Sequence, residues 1–268
     1  MPIIHTNGIN IYYEIHGEGP PLLLIMGITA PGAVWEKHLN YWKKFFTCIV
    51  VDNRGVGNSD KPPGPYSITD MANDCNGLLE ALQFTRVSVT GVSMGSTIAM
   101  QLCLSHPDKV SGMVLMCPWA RCDHMAKSIF SHMISIKEKL SPDEFARYIQ
   151  LLIFHKSSWD DPAMHQEMMD ARKAALEDPN PQPFYALQAQ AVACMEHHVL
   201  NQLGKIRIPS LVIGGKQDIF TPEWMAKEVA EAIPGAQLHL YDKSGHAFHW
   251  ENLEDFNERV KEWLLRHK

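Results

Sequence analysis

The sequence lacks the features of several classes of protein, and each absence narrows the expected function. It has no basic excess: its formal net charge is −6 at pH 7, which disfavours a surface that binds nucleic acid. Its longest apolar run, PPLLLIMGI, is far shorter than the ~20 residues of a membrane-spanning helix. The first residues, MPIIHTNGIN, lack the basic and apolar regions of a secretory signal. We therefore expect a cytoplasmic protein that acts on a small molecule and binds neither nucleic acid nor membrane.

Cysteine is present without the pattern of a disulfide framework or a metal site. The six cysteines form no C-x-x-C pair and are scattered along the chain: Cys48, Cys75, Cys103, Cys117, Cys122 and Cys194. Disulfide frameworks and zinc sites require closer and more regular spacing. We therefore expect reduced, mostly buried thiols and predict neither a metal nor another cofactor. The oligomeric state stays open between a monomer and a homodimer.

Apolar runs typical of buried strands alternate with helical patterns along most of the chain. An Asn7-Gly8 pair between alternating segments predicts an N-terminal β-hairpin. Further strands are predicted in PPLLLIMG, FFTCIVVD, RVSVTGVS, VSGMVLMCP, PSLVIGGKQD and AQLHLYDKS. Helical spacing is found from about Ser67 to Leu82 and in GSTIAMQLCLSHP. This alternation predicts an α/β fold with a mostly parallel, doubly wound sheet flanked by helices.

One segment interrupts the alternation. From Trp119 to Leu203 the patterns are helical, rich in methionine and aromatic residues, and divided by prolines. Because strands resume afterwards, we interpret residues 119–203 as a helical insertion into a core formed by residues 1–118 and 204–268. Most apolar side chains of the insertion are expected to pack against the core, and a few to line a substrate cavity.

A serine between two glycines ends the strand VSVTGV. Gly91, Ser93 and Gly95 fit the G-x-S-x-G pattern of a nucleophile elbow, with a strand before the serine and a helix after it. The glycines leave room for a turn so tight that the serine backbone is strained. The serine hydroxyl is then raised at a helix N-terminus, where partial positive charge favours developing negative charge.

A serine nucleophile requires a base and a group that orients the base. His246, on a loop after a predicted strand, is the preferred base, with His249 as its closest rival. Asp218, also just past a strand, is the preferred acid, although alone it would read as a turn or helix-capping aspartate. The order nucleophile, acid, histidine supports the trio. The backbone N–H groups of Met94 and Ile28 are predicted to form the oxyanion hole.

These motifs together resemble the α/β-hydrolase superfamily over essentially the whole chain. The matching segments are LLLIMGITAPGAVW, VVDNRGVGNSDKP, GVSMGS, GGKQDIFTP and SGHAFHWENLEDFNE. The resemblance implies Ser93 as nucleophile, His246 as base, Asp218 as its orienting carboxylate, and a cap formed by residues 119–203. Asp52, Arg54 and Asp60 are interpreted as mainly structural.

The sequence departs from many members of the superfamily at Met26-Gly27, where they have His-Gly. Such departures also occur in some lactonases, methyl esterases and aminoacrylate hydrolases. We expect a serine hydrolase of small, largely apolar carboxylic esters or lactones that works through an acyl-enzyme. Hydrolysis of amides, carbamates, carbon–carbon bonds or N-terminal peptide bonds uses the same triad, and a ligand-binding or receptor protein is the alternative of another class. Dehalogenation and epoxide opening are disfavoured because they use a carboxylate at the elbow.

Overall fold

The computed structural model describes residues 2–267 of the chain. The strands of these residues are β1 (Ile3–Thr6), β2 (Ile9–His16), β3 (Pro21–Ile25), β4 (Thr47–Val51), β5 (Val87–Val92), β6 (Val110–Met116), β7 (Ser210–Gly215) and β8 (Gln237–Tyr241). The α-helices are α1 (Glu36–Trp42), α2 (Ile68–Ala81), α3 (Met94–Ser105), α4 (His124–Lys137), α5 (Pro142–Ile153), α6 (Lys156–Asp160), α7 (Pro162–Leu176), α8 (Phe184–Glu196), α9 (Leu200–Leu203), α10 (Glu223–Ala232), α11 (Phe248–Glu251) and α12 (Leu253–Arg266).

All eight strands belong to one sheet, in the order β1-β2-β4-β3-β5-β6-β7-β8. β1 and β2 are antiparallel and form the predicted hairpin, with positive φ angles at Asn7 and Gly8 in the turn. β2 also runs antiparallel to β4, whereas neighbouring strands from β4 to β8 are parallel. The prediction of a mostly parallel α/β sheet is therefore confirmed.

The parallel strands β3 to β7 are mostly buried on both faces of the sheet, which explains why they read as largely continuous apolar runs, whereas the edge strand β8 is partly exposed. Along β3, Leu23 and Ile25 join one apolar core while Leu22 and Leu24 join the other. The first core contains side chains of α2, α3 and α10. The second contains side chains of α1 and α12, so helices cover both faces.

The predicted elements agree closely with the observed ones. α2 begins after Ser67, whose hydroxyl accepts the N–H of Asp70 while the carboxylate of Asp70 accepts the N–H of Ser67. This reciprocal cap fixes the helix start that the apolar spacing predicted. α3 ends two residues before Pro107, as expected from the missing N–H of proline.

Six helices, α4 to α9, lie between β6 and β7 in the segment for which an insertion was predicted. A single isolated bridge pairs Arg121 with His198, near the two ends of that segment. The assignment of residues 119–203 as a separate cap unit stays a prediction. Within residues 2–267, no helix combines the length and the apolar character needed to cross a membrane.

Candidate active site

The three side chains predicted to act together all follow strands at the carboxyl edge of the sheet. Ser93 directly follows β5, Asp218 lies three residues after β7, and His246 lies five residues after β8. All three side chains are buried, with 4 to 6% of each residue exposed. Parallel strands end at the same edge, so three loops that are distant in the sequence meet there.

The turn at Ser93 is as tight as the two flanking glycines suggest. Ser93 has φ 56° and ψ −120°, a conformation that costs energy for a residue with a side chain. A Cβ on Gly91 would lie 2.2 Å from the carbonyl oxygen of Gly95, and one on Gly95 would lie 2.1 Å from that of Ile25. Only glycine fits at either position, because both contacts are to backbone that cannot move aside.

His246 is bound to Asp218 through a buried, short hydrogen bond. The Nδ1 atom of His246 lies 2.7 Å from Oδ2 of Asp218. The other carboxylate oxygen, Oδ1, accepts the backbone N–H groups of Phe220 and Thr221 at 2.8 and 2.9 Å. Oδ1 of Asp218 therefore stabilises a local turn, which was the alternative role that the sequence suggested for this residue. Its Oδ2 binds His246 at the same time.

Thr221 belongs to this site, although the sequence analysis did not identify it. Its hydroxyl donates to Oδ2 of Asp218 at 2.8 Å and lies 3.0 Å from Nδ1 of His246. Because the Thr221 hydroxyl donates its hydrogen bond to Asp218, it does not donate to His246. The second donor to Oδ2 of Asp218 is then the Nδ1–H group of His246. This tautomer leaves Nε2 as the unprotonated nitrogen, which a general base requires. Its place three residues after Asp218 was the only sequence signal for Thr221.

The charge of the buried carboxylate governs the protonation of His246. Burial alone lowers the pKa of the imidazole, but the negative charge of Asp218 and its hydrogen bond outweigh burial. The pKa of His246 is consequently raised well above its ordinary value of 6.5. A histidine of this kind is a stronger base than a solvated one, and its protonated form is stabilised by the ion pair.

Ser93 and His246 line the same cavity. The cavity has a volume of about 110 Å³. Met133 of α4 and Ile149 and Ile153 of α5 contribute apolar side chains from the insertion, as the sequence led us to expect of a few of its residues. In this structure the Ser93 hydroxyl is not hydrogen-bonded to the imidazole; such contacts commonly tighten only when a substrate is bound.

The two N–H groups predicted to form an oxyanion hole have no acceptor among residues 2–267. Met94 begins α3, so its N–H is one of the unpaired donors of a helix N-terminus. Ile28 lies on the loop after β3 and lines the cavity. The next residue, Thr29, has a φ of 69° and donates its N–H to Oε1 of Gln190 in α8 at 3.2 Å. The insertion thus supports the loop that carries Ile28.

Glu251 joins the loop of His246 to the insertion. Its Oε2 accepts the backbone N–H of Gly245 at 2.9 Å. Its Oε1 accepts the N–H of His155 at 2.7 Å and the hydroxyl of Ser158 at 2.8 Å. Because both oxygens of one carboxylate are used, the segment next to His246 and the helices above it are fixed relative to each other. No motif in the sequence indicates this role of Glu251.

His249, the rival of His246, has different surroundings. Its Nδ1 atom lies 2.9 Å from Nε2 of a second buried histidine, His38. Burial, followed by the neighbouring histidines His38 and His246, lowers the pKa of His249 well below 6.5. Without a carboxylate partner it lacks the support for an imidazolium that His246 has, so the geometry favours His246 as the base.

The charged residues of the VVDNRGVGNSDKP segment hold loops together. Asp52 accepts the N–H groups of Gly32 and Asn58 at 2.6 and 2.8 Å. Arg54 forms a buried, two-pronged ion pair with Asp74, with both N–O distances 2.6 Å. Asp60 accepts the N–H of residue 10 at 2.8 Å. These contacts agree with a structural role.

One group of potential metal ligands is present among the described residues. Sγ of Cys117, a carboxylate oxygen of Asp218 and a ring nitrogen of His246 lie within 4.8 Å of one another. Burial raises the pKa of the Cys117 thiol, which disfavours the thiolate that a metal would need. Asp218 and His246 also already satisfy each other, so this cluster is a poor metal site.

Comparison with known proteins shows which chains this one is similar to. The chain is 29% identical to a protein named as a candidate carbamate hydrolase, RutD, of Azorhizobium caulinodans, over 97% of both chains. The crystal structure of a candidate non-heme bromoperoxidase, BpoC, of Mycobacterium tuberculosis H37Rv is 28% identical, with a TM-score of 0.88 over 97% of both chains. Est816, described as an N-acyl homoserine lactone degrading enzyme, is 27% identical, with a TM-score of 0.83 over 97% of this chain and 99% of its own.

The match is not confined to single motifs. The family model of the alpha/beta hydrolase fold aligns with residues 20–253, which include β3 to β8, the helices between them and all three loops of the site. This range covers well over half of the 268 residues. The chain therefore belongs to the α/β-hydrolase family.

Proposed function

We propose that the protein is a serine hydrolase that cleaves small carboxylic esters or lactones through an acyl-enzyme. The observation that carries the proposal is the 2.7 Å contact between Nδ1 of His246 and Oδ2 of Asp218 beside the strained Ser93 elbow. This contact leaves Nε2 of His246 free to accept a proton. Ser93 and His246 line the same cavity.

The proposed reaction has two halves that share one proton carrier. In the first half, Oγ of Ser93 bonds to the substrate carbonyl carbon while its proton moves to Nε2 of His246. The tetrahedral oxyanion accepts hydrogen bonds from the N–H groups of Ile28 and Met94. The carbon–oxygen bond to the leaving alcohol then breaks, and the alcohol takes the proton from His246. In the second half, His246 accepts a proton from water, hydroxide bonds to the acyl carbon, and Ser93 leaves with the proton.

The cavity supports a small substrate with an apolar part. Side chains such as Met133, Ile149, Ile153 and Phe220 surround a space of about 110 Å³. Apolar walls with a few polar groups are typical of small-molecule sites. A lactone is an internal ester, and the similarity to a lactone-degrading enzyme is in keeping with this chemistry.

The test is a panel of phenyl esters, small lactones, carbamates and amides offered to the purified protein. We expect ester or lactone turnover with a burst of phenol equal to the enzyme concentration, and an acyl adduct on Ser93 in the intact mass. Absence of turnover on every ester and lactone would overturn the proposal. A carbamate preference would establish the second candidate function, which the similarity to RutD favours. Tight binding without turnover would favour the ligand-binding alternative.

A further inference from the structure

A second histidine lines the cavity and has no part in the proposed reaction. His249 belongs to the single turn of α11, three residues after His246, and only 2% of the residue is exposed. It lines the same cavity as Ser93 and His246. Most of the other lining side chains are apolar, so His249 is a polar group placed where the substrate would bind.

A buried chain of hydrogen bonds sets the protonation of the His249 ring. Oδ1 of Asn257, which can only accept, lies 2.7 Å from Nδ1 of His38, so His38 carries its proton on Nδ1. Burial lowers the pKa of His38 to about 4, so its ring is neutral and its Nε2 is an acceptor. That Nε2 lies 2.9 Å from Nδ1 of His249, which must therefore donate.

The result is a neutral His249 ring with its lone pair on Nε2. Within residues 2–267, this Nε2 has no hydrogen-bond partner. Aromatic rings surround the imidazole and restrict its rotation: the ring centroids of Trp250 and Phe256 lie 4.2 and 5.9 Å away. His249 lines the apolar cavity, and a buried acceptor without a partner costs free energy that is recovered when a donor is supplied.

We propose that Nε2 of His249 accepts a hydrogen bond from an N–H or O–H group on the acyl part of the substrate. His249 is then a specificity-determining residue, and the substrate class narrows to small esters or lactones whose acyl part carries a donor. This inference rests on the proposed hydrolase function. His38 and Asn257 act through His249 as positioning residues, because they fix which of its nitrogens carries the proton.

The kinetic test uses two phenyl esters of nearly equal shape. Phenyl glycolate has a hydroxyl where phenyl propionate has a methyl group. We expect the wild type to prefer the glycolate in kcat/KM, and H249F to reduce the ratio of the two values by about five- to tenfold, as one hydrogen bond would. H124Q, at an exposed histidine of α4, is the control and should keep the wild-type ratio. A merely structural role would lower both values together and leave the ratio unchanged in H249F, which would overturn the inference.

Two further measurements fix the direction of the hydrogen bond. Phenyl methoxyacetate offers an acceptor but no donor, so an equal preference for it and the glycolate would overturn the inference. Nitrogen-15 spectra of the histidine rings, with the His249 signal identified by its loss in H249F or H249Q, should show a proton on Nδ1 and none on Nε2. The reverse pattern would also overturn it. Turnover of phenyl propionate by the wild type distinguishes failure of the two proposals. If the wild type hydrolyses this ester but H249F keeps the wild-type ratio, only the role of His249 is overturned. If the wild type hydrolyses none of these esters, the hydrolase function and the role of His249 both fail.

Discussion

Oε2 of Glu251 accepts the backbone N–H of Gly245, the residue directly before His246, at 2.9 Å. The other oxygen of the same carboxylate binds His155 and Ser158 in the insertion. The backbone contact between Ala247 N and the carbonyl of Ile153, at 2.8 Å, lies beside this link. The position of the candidate base is thus set partly by residues 153–158 of the predicted insertion, through contacts to the residues on either side of His246.

Replacing Glu251 tests this link. E251A removes the acceptor of three donors, and at about 1 kcal/mol for each lost hydrogen bond we expect the free energy of unfolding to fall by roughly 2–3 kcal/mol. Ester turnover should fall as well, since the loop of His246 loses its support. Urea denaturation and kcat/KM measure the two effects. E254A, at an exposed carboxylate on α12, should change stability by less than about 0.5 kcal/mol; equal effects of the two variants would contradict the role of Glu251.

Two strand glycines provide a matched test of the elbow. A Cβ on Gly91 would lie 2.2 Å from the carbonyl oxygen of Gly95, whereas one on Gly112 in the neighbouring strand would make only ordinary contacts at 3.6 Å. We expect G91A to destabilise the fold by about 3 kcal/mol or more and to abolish turnover, because the backbone around Ser93 must shift. G112A should cost less than about 1.5 kcal/mol and keep activity. Thermal unfolding and an ester assay compare them, and a tolerated G91A would show that the turn is less constrained than described.

The sequence was sufficient for the elements whose signal is local. Ser93 could be identified because the strand, the two glycines and the helix occur within a few residues. β3 to β7 could be identified because burial on both faces makes their runs largely apolar. Thr221, Glu251 and Gln190 could not be identified in this way. Each of them contacts a group that the fold brings near. Gln190, for example, accepts the N–H of Thr29, which is 161 positions away in the sequence. A single polar residue on a helix or turn does not indicate such a partner.

A buried histidine of the insertion gives the stability a defined dependence on pH. Burial, with a smaller contribution from the charge of His198, lowers the pKa of His197 from 6.5 to about 4. Between these values the unfolded chain binds a proton that the folded chain does not, so stability present above pH 6.5 is lost as the pH falls. We expect H197Q to reduce the slope of unfolding free energy against pH, near pH 5, by up to about 1.4 kcal/mol per pH unit.

Urea denaturation at several pH values between 7 and 4.5 measures this slope. The comparison of slopes is independent of any constant loss of stability that the substitution causes. H124Q, at an exposed histidine, is the control and should keep the wild-type slope. An unchanged slope in H197Q would mean that His197 is protonated in the folded protein as readily as in the unfolded chain.

The pairing of His246 with Asp218 predicts how activity depends on pH. Below its pKa His246 is protonated and cannot accept a proton, so kcat/KM should rise with pH and reach half its maximum above 6.5, since the pKa is raised. D218N removes the charge that raises the pKa and allows the wrong tautomer, so we expect activity to fall by about 10³–10⁴-fold and the midpoint to move to lower pH. D242N, at an exposed carboxylate after β8, should leave both unchanged. An unshifted midpoint in D218N would remove Asp218 as the orienting group.

The nucleophile itself can be tested without knowledge of the natural substrate. A fluorophosphonate reacts with a serine only when a nearby base removes the hydroxyl proton and an oxyanion site accepts the developing charge. Intact mass after labelling should therefore show one adduct on the wild type and on S105A, which changes an exposed serine at the end of α3. It should show none on S93A, whose ester turnover should also fall by about 10⁴-fold or more. An S93A variant that is still labelled and active, or a wild type that never reacts, would contradict the assignment of Ser93, His246 and Asp218 as one catalytic unit.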